Sequence, residues 1–195
     1  MTLRLNGSTS GYIEIDAPAV AGTRTLVLPT DSIQPGLVLL NTTSFSAAST
    51  VSVNNCFSST YDNYLIKLLA TNSSAGNFLT RLRTSSDDSG ANYSDQLLYG
   101  SGSTASANRQ SGQTSWRTGY AGTSDSGTLT LELFAPNLAA YTKGNFGGCV
   151  FVGSTQEATY GSVAHNATTQ FTGFTIFPSV GNFTGTVRVY GYRNS

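Results

Sequence analysis

Charged residues are scarce in this sequence. Ten Lys and Arg and ten Asp and Glu make up 10% of the chain and cancel to zero formal net charge, whereas about a quarter of an ordinary globular protein is charged. A nucleic-acid partner requires clustered Lys and Arg to neutralise phosphates, and an anionic membrane surface requires the same. The composition therefore argues against both partners, and it predicts exposed faces that are covered by Ser, Thr, Gly and Asn.

The sequence also lacks a long apolar run. No stretch approaches the roughly 18 consecutive apolar residues of a membrane-spanning helix. The start of the chain, MTLRLNGSTSGYIEI, lacks the apolar region of a secretory signal peptide. We therefore expect neither a membrane anchor nor a secretory route.

Residues with catalytic or metal-binding chemistry are few. His165 is the single histidine, so it cannot share a metal with other histidines, and no Gly-x-Ser-x-Gly motif supplies a nucleophile for it. We expect His165 to end a strand and to hydrogen-bond to a loop. Asp87 and Asp88 are typical of a turn, with a calcium site or a glycosidase carboxylate pair as alternatives. On this basis we predict no catalytic residue, no metal and no cofactor.

Cys56 and Cys149 are the only cysteines. Both lie in apolar, strand-like settings, which predicts two buried thiols that act as small hydrophobic side chains. A disulfide between them is the alternative, because the sequence does not show whether the two strands are neighbours.

The chain does contain many short alternating apolar runs that are separated by turn-forming residues. About eight such runs follow residue 40, at short spacing. This pattern predicts an all-β fold in which residues 41–195 form an antiparallel, jelly-roll-like β-sandwich. The segment Pro136–Lys143 is the one candidate for a helical turn.

Residues 1–40 form a separate β segment in this interpretation. Its three runs are too short to bury enough apolar surface alone. We therefore expect the segment to lean on the main domain or on copies of itself, and we favour a threefold-symmetric β-prism with one segment from each subunit. The apolar members of the runs are Leu3, Leu5, Ile13, Ile15, Leu26 and Leu28.

Two stretches carry the clearest strand signals. Tyr61–Ala70 has apolar residues on both faces, which predicts a central strand buried between two layers, with Phe78–Arg83 returning as its hairpin partner. Gly173–Arg193 contains two strand-like runs around a Pro- and Gly-containing turn. We expect this terminal hairpin to close the core.

The apolar pattern thins out from Thr84 to Asp125, which predicts either long loops or polar edge strands. Tyr99, Trp116 and Tyr120 stand there among small polar residues. Aromatic rings beside amides and hydroxyls are a common means of holding sugars. We therefore name these three aromatics as candidate contacts to a glycan or receptor. Anchoring of the loops to the core, or packing between subunits, is the alternative.

Three stretches of the sequence carry a resemblance to known proteins. The first is NGSTSGYIEIDAPAVAGTRTLVLPT, the second NCFSSTYDNYLIKLLATNSSAGNFLTRLR, and the third TGFTIFPSVGNFTGTVRVYGYRN. They resemble phage, and in particular cyanophage, tail-fibre and receptor-binding virion proteins. These are structural motifs rather than active-site motifs. The resemblance implies a virion fibre or receptor-binding β domain that forms a homotrimer, and it does not imply a particular receptor.

From this resemblance we expect a non-enzymatic trimeric tail fibre or adhesin, located in the virion. Its amino-terminal segment would dock on baseplate or tail proteins, and its sandwich would attach to a host cell-surface polysaccharide. A capsid decoration (cement) protein on the phage head is the main alternative. A polysaccharide depolymerase and a free-standing lectin are weaker ones, because acidic residues are few and no secretory route is evident.

Overall fold

The computed structural model describes residues 3–6, 11–15, 36–123 and 125–194. Contacts within the chain divide it into two compact units, Met1–Gln34 and Pro35–Ser195. The described residues form strands, turns and bends, and none of them is helical. This confirms the predicted all-β class.

The first unit contains a small antiparallel hairpin. Strand β1 (Leu3–Asn6) pairs with strand β2 (Tyr12–Ile15), so that Leu3 is opposite Ile15. The predicted run at Leu26 and Leu28 lies outside the described residues. The threefold β-prism remains a prediction.

The second unit contains the sandwich. Its strands in chain order are β3 (Leu37–Ala48), β4 (Val51–Val53), β5 (Asn63–Asn72), β6 (Gly76–Arg83), β7 (Tyr93–Ser101), β8 (Thr104–Gln113), β9 (Trp116–Ala121), β10 (Gly127–Phe134), β11 (Lys143–Val152), β12 (Thr155–His165), β13 (Gly173–Pro178) and β14 (Phe183–Tyr192).

These strands form two sheets of unequal size. The large sheet has eight strands in the order β3-β14-β5-β10-β11-β12-β7-β8, and the small sheet has four in the order β4-β13-β6-β9. All pairs are antiparallel. The predicted antiparallel β-sandwich is therefore confirmed, and its sheets differ in width by a factor of two.

The core lies between the two sheets and follows from alternation along each strand. In β10, Leu129, Leu131 and Leu133 are buried, whereas the residues between them are more exposed. In β6, Phe78 and Leu82 face the core from the small sheet. Since successive side chains of a strand point to opposite faces, each strand contributes one face to the core.

The strand β5 is central, as predicted, because it lies between β14 and β10. The prediction that both of its faces are buried was wrong. Tyr64, Ile66 and Leu68 are buried, but Leu69 on the opposite face is 52% exposed. The small sheet covers one face of the large sheet. The apolar residues on the other face of β5 therefore did not indicate a further layer.

Both predicted hairpins were wrong in their pairing. The strands β5 and β6 lie in different sheets, and so do β13 and β14. In the second case the turn that contains Gly181, at φ +72°, carries the chain from the small sheet to the large one. Alternation predicts which face of a strand is buried, but it does not predict which of the two sheets the strand joins.

The segment from Thr84 to Asp125 is mostly strand, so the polar edge-strand interpretation holds and the long-loop interpretation was wrong. It contains β7, β8 and β9, and β8 and β9 are edges of the large and small sheets. The candidate helical turn at Pro136–Lys143 was also wrong, because the residues there form turns and bends without a helix.

Several glycines lie directly opposite aromatic residues on a neighbouring strand. Among them, Gly161 is paired with Phe146 and Gly147 with Tyr160 in β11 and β12, and Gly119 is paired with Phe78. A Cβ atom on Gly161 would lie 2.7 Å from Cε1 of Phe146, and one on Gly147 would lie 2.9 Å from the Tyr160 ring. The missing side chain thus makes room for the ring, which covers the strand backbone in its place.

The two cysteines are free. Cys56 is buried, as predicted, and its thiol donates to the Val53 carbonyl oxygen at 3.7 Å. Cys149 is exposed, so its predicted burial was wrong. It lies in β11 beside Thr128 of β10, whose hydroxyl accepts from the Cys149 main-chain N–H at 3.0 Å.

Candidate functional site

An open groove of about 280 Å³ lies where the edge strand β9 meets strands β7 and β12 of the large sheet. This edge groove brings together two tyrosines, an amide, a hydroxyl, a carboxyl and one aliphatic side chain. Its lining residues are Asn77, Leu97, Tyr99, Tyr120, Glu157 and Thr159. Pockets that bind drug-sized ligands usually measure roughly 300–1,000 Å³, so the edge groove suits a small ligand or one unit of a chain.

The groove exists because the small sheet ends before the large one does. Along the inner face of β7, Tyr93 is 0% exposed, Leu97 is 8% exposed and Tyr99 is 41% exposed. The same face of one strand therefore emerges from beneath the small sheet as it runs towards Ser101. The four-stranded sheet cannot cover eight strands, and the uncovered part of the inner face forms a wall of the groove.

Cross-strand pairs build the two walls. On the large sheet, Tyr99 is opposite Thr159, and the next pair on that face is Ser101 with Glu157. On the small sheet, Asn77 of β6 is opposite Tyr120 of β9. Rigid strands rather than loops thus position the lining groups, which favours a preformed site.

The sequence prediction named three aromatics, and the structure brings two of them together. Tyr99 and Tyr120 line the same groove, although they lie on different sheets, in β7 and β9. The prediction that Trp116 contacts a ligand at the surface was wrong, because Trp116 is 0% exposed. Its Nε1 donates to the Ala164 carbonyl oxygen at 2.9 Å, so Trp116 anchors β9 to the core, as the alternative interpretation expected.

A buried ion pair holds the two walls in place. Asp95 of β7 is 3% exposed, and its Oδ1 accepts from Arg117 Nε at 3.1 Å and from Arg117 Nη2. Its Oδ2 accepts from the Arg117 main-chain N–H at 3.1 Å. Because Arg117 lies in β9, this pair fixes the edge of the small sheet against the large sheet, three residues before Tyr120.

Polar groups that sequence reasoning missed complete the groove. Glu157 Oε1 accepts a hydrogen bond from Ser101 Oγ at 3.0 Å, which fixes the carboxylate and leaves its second oxygen for a ligand. The main chain of Asn77 is held by Ser179, whose hydroxyl accepts from the Asn77 N–H at 3.0 Å. These residues are distant from the tyrosines along the chain, and only the strand register reveals their proximity.

The buried histidine has a structural role, as predicted. His165 is the last residue of β12 and is 0% exposed. Its Nδ1 accepts from the Ala167 N–H at 3.3 Å, so Nε2 carries the proton and donates to Asp88 Oδ2 at 2.9 Å. Aromatic rings enclose the imidazole, with the Tyr93 centroid at 4.7 Å and the Phe171 centroid at 4.9 Å.

The acidic pair in the loop between β6 and β7 also has a structural role. Asp88 Oδ1 accepts from the Gly90 N–H at 2.8 Å, which is the geometry of a turn. Asp87 pairs with Arg83 at 3.4 Å. Within residues 3–6, 11–15, 36–123 and 125–194, no three His, Cys, Asp or Glu side chains converge on a point where they could hold a metal ion.

A tyrosine hydroxyl links this loop to the small sheet. Tyr93 Oη donates to the Asp88 carbonyl oxygen at 2.8 Å and accepts from the Leu82 N–H at 3.0 Å. Burial raises the pKa of Tyr93 above its ordinary value, and its hydrogen bond from Leu82 only partly offsets that effect. Tyr93 therefore remains a neutral structural group.

No known protein family, curated protein or solved structure matches this chain. Among the described residues, no helix has the length and apolar character needed to cross a membrane.

Proposed function

We propose that this chain is a non-enzymatic phage attachment protein, a trimeric tail fibre or adhesin whose edge groove binds a glycan on the host cell surface. The observation that carries the proposal is the convergence of Tyr99 and Tyr120 in one groove with Asn77, Thr159 and Glu157. Aromatic rings offer apolar contact to the C–H face of a sugar, and the amide, hydroxyl and carboxylate offer hydrogen bonds to its hydroxyls.

Two further observations support it. The sequence resembles phage fibre proteins near its start, in its middle and near its end. The groove is open and small, which suits a weak single site, and three such sites in a trimer would gain from avidity. The amino-terminal unit would join the subunits and dock on the tail.

A binding experiment tests the glycan part of the proposal. Purified polysaccharide from the host envelope is titrated into the wild type, Tyr99→Ala and Tyr120→Ala. Each variant should bind at least about tenfold more weakly, which corresponds to roughly 1.4 kcal/mol. Tyr141→Ala is the matched control, since Tyr141 is 58% exposed and lies outside the groove. Equal affinities of all four proteins would contradict the proposal, and release of sugar from the envelope would indicate a depolymerase.

The copy number of the chain in purified virions tests the place of assembly. A small multiple of three, on the order of tens or fewer, is expected of a tail fibre. Copies in the hundreds would indicate a capsid decoration protein, the alternative function for which the same type of fold is expected. The oligomeric state in solution, measured by native mass spectrometry, tests the trimer directly.

A further inference from the structure

We infer that the edge groove selects its sugar by charge: it favours a unit that carries a free amine and excludes units that carry an acid group. This inference rests on the proposed glycan binding and adds the chemical class of the bound unit.

The first argument is the charge of the lining. Glu157 is the one ionisable acid or base other than tyrosine among the residues that line the groove, and no Lys or Arg lines it. A carboxylate without a neighbouring cation repels uronic acids, sialic acids and phosphorylated sugars, which would bring a second negative charge into the same small volume. Arg and Lys form the strongest hydrogen bonds to the carboxylate or phosphate of an acidic sugar, and the groove offers neither.

The second argument is that the nearest cation on β9 is already used. Arg117 lies three residues before Tyr120, but its guanidinium and its main-chain N–H both bind the buried carboxylate of Asp95. Its charge is thus compensated inside the protein. Reorienting Arg117 towards an acidic ligand would leave Asp95 buried and unpaired, which is costly.

The third argument is the geometry of Glu157 itself. Ser101 and Glu157 are opposite each other on neighbouring strands, and the Ser101 hydroxyl holds Oε1 at 3.0 Å. Glu157 is half-buried, and the Ser101 hydrogen bond restrains its carboxylate. Glu157 lines the groove together with Thr159 and the two tyrosines, and its second oxygen can accept a charge-assisted hydrogen bond from an ammonium group there.

The fourth argument is that no general field of the protein competes with this local charge. Ten basic and ten acidic side chains cancel over the whole chain. A preference for a cationic sugar therefore cannot arise from non-specific attraction to a protein of net negative charge.

The test uses three oligosaccharides of equal length with the full-length protein. They are a glucosamine tetramer with free amines, the same tetramer fully N-acetylated, and a tetramer that contains glucuronic acid. The wild type should bind the amine form roughly five- to tenfold more tightly than the acetylated form, as expected of one charge-assisted hydrogen bond at a half-exposed site. It should bind the acidic form most weakly. Raising the salt concentration should reduce the preference.

Substitutions then assign the preference to one residue. Glu157→Gln should abolish the preference for the amine and strengthen binding of the acidic tetramer, while Ser101→Ala should reduce the preference by a smaller factor. Asp62→Asn is the control, because it removes the same charge from the residue before β5, at the Phe134 end of the large sheet and away from Glu157. It should leave the order of affinities unchanged.

The outcomes separate this inference from the proposed function. If the tetramers bind equally well and Tyr99→Ala weakens them all, the groove binds sugar and the charge selection is wrong. The same holds if the wild type binds the acidic tetramer best, or if Glu157→Gln keeps the preference. If no tetramer and no host polysaccharide binds the wild type, the proposed function fails and the inference fails with it.

Discussion

Asp95 and Arg117 join the two sheets of the sandwich through a carboxylate that is almost fully buried. The guanidinium and the main-chain N–H of Arg117 together donate to both oxygens of Asp95. The pair therefore holds the edge of the small sheet against the large sheet, three residues before Tyr120 of the edge groove.

We predict that Asp95→Asn destabilises the protein by roughly 3 kcal/mol, near the lower end of the range for breaking a buried ion pair, since Arg117 is partly exposed. The loss follows because Arg117 keeps its charge in a site that was built around an anion. Urea denaturation measures the change in the free energy of unfolding. Arg188→Gln, which removes an exposed charge from β14, should change it by less than about 0.5 kcal/mol. Equal stability of both variants would show that the pair is not a structural clamp.

Gly161 gives a second stability prediction. A Cβ atom there would collide with the main-chain oxygen of Gln96 and lie 2.7 Å from a ring carbon of Phe146. Gly161→Ala should therefore cost about 1–3 kcal/mol, because the strand or the ring has to move. Gly100→Ala in the neighbouring strand is the control, since its Cβ would meet only a main-chain oxygen at an ordinary 3.8 Å. A Gly161→Ala protein as stable as the control would refute the close packing of ring on glycine.

The thiols should differ sharply in reactivity. Cys149 is exposed and Cys56 is buried, and the two are not joined. A thiol reagent at pH 8 should modify one cysteine in the folded protein and both after denaturation. Cys149→Ser should abolish the reaction of the folded protein. Rapid modification of two thiols in the native wild type would show that Cys56 is accessible.

Stability should fall in alkaline solution. Burial raises the pKa of the Cys56 thiol from 9.0 to about 12, and burial also raises the pKa of Tyr64 and Tyr93. Between pH 9 and pH 12 the unfolded chain has lost the Cys56 proton while the folded protein retains it, so the free energy of unfolding decreases as pH rises. At pH 10.5 the Cys56 contribution to this loss is roughly 2 kcal/mol.

Denaturation midpoints at pH 8 and pH 10.5 measure this effect. Cys56→Ala should show a shallower decrease than the wild type, because the contribution of the buried thiol is removed. Identical pH dependence of the two proteins would mean that Cys56 ionises equally in the folded and unfolded states.

The sequence predicted the class of the fold because alternation determines which face of a strand is buried. Leu129, Leu131 and Leu133 illustrate this, since all three are buried as their spacing indicated. Alternation does not determine which sheet a strand joins. The strands on either side of the turn at Gly181 were therefore predicted as a hairpin, although they belong to different sheets.

The groove could be predicted only in part, for the same reason. Tyr99 and Tyr120 stood out because no core pattern explained them, and the same reasoning wrongly selected Trp116, which packs in the core. Glu157 and Asn77 gave no signal, because their neighbours in space come from strand pairing and not from the sequence around them. The groove arises because the two sheets differ in width. The width of each sheet depends on all of its strand pairings together, which the sequence did not predict.

The position of β14 in the large sheet has a consequence for folding during synthesis on the ribosome. β14 lies between β3 and β5, both of which are synthesised more than a hundred residues earlier. Until residues 183–192 have left the exit tunnel, the edges of β3 and β5 that pair with β14 in the folded protein lack that partner. A nascent chain without β14 therefore leaves these strand edges open to other pairings, which favours aggregation.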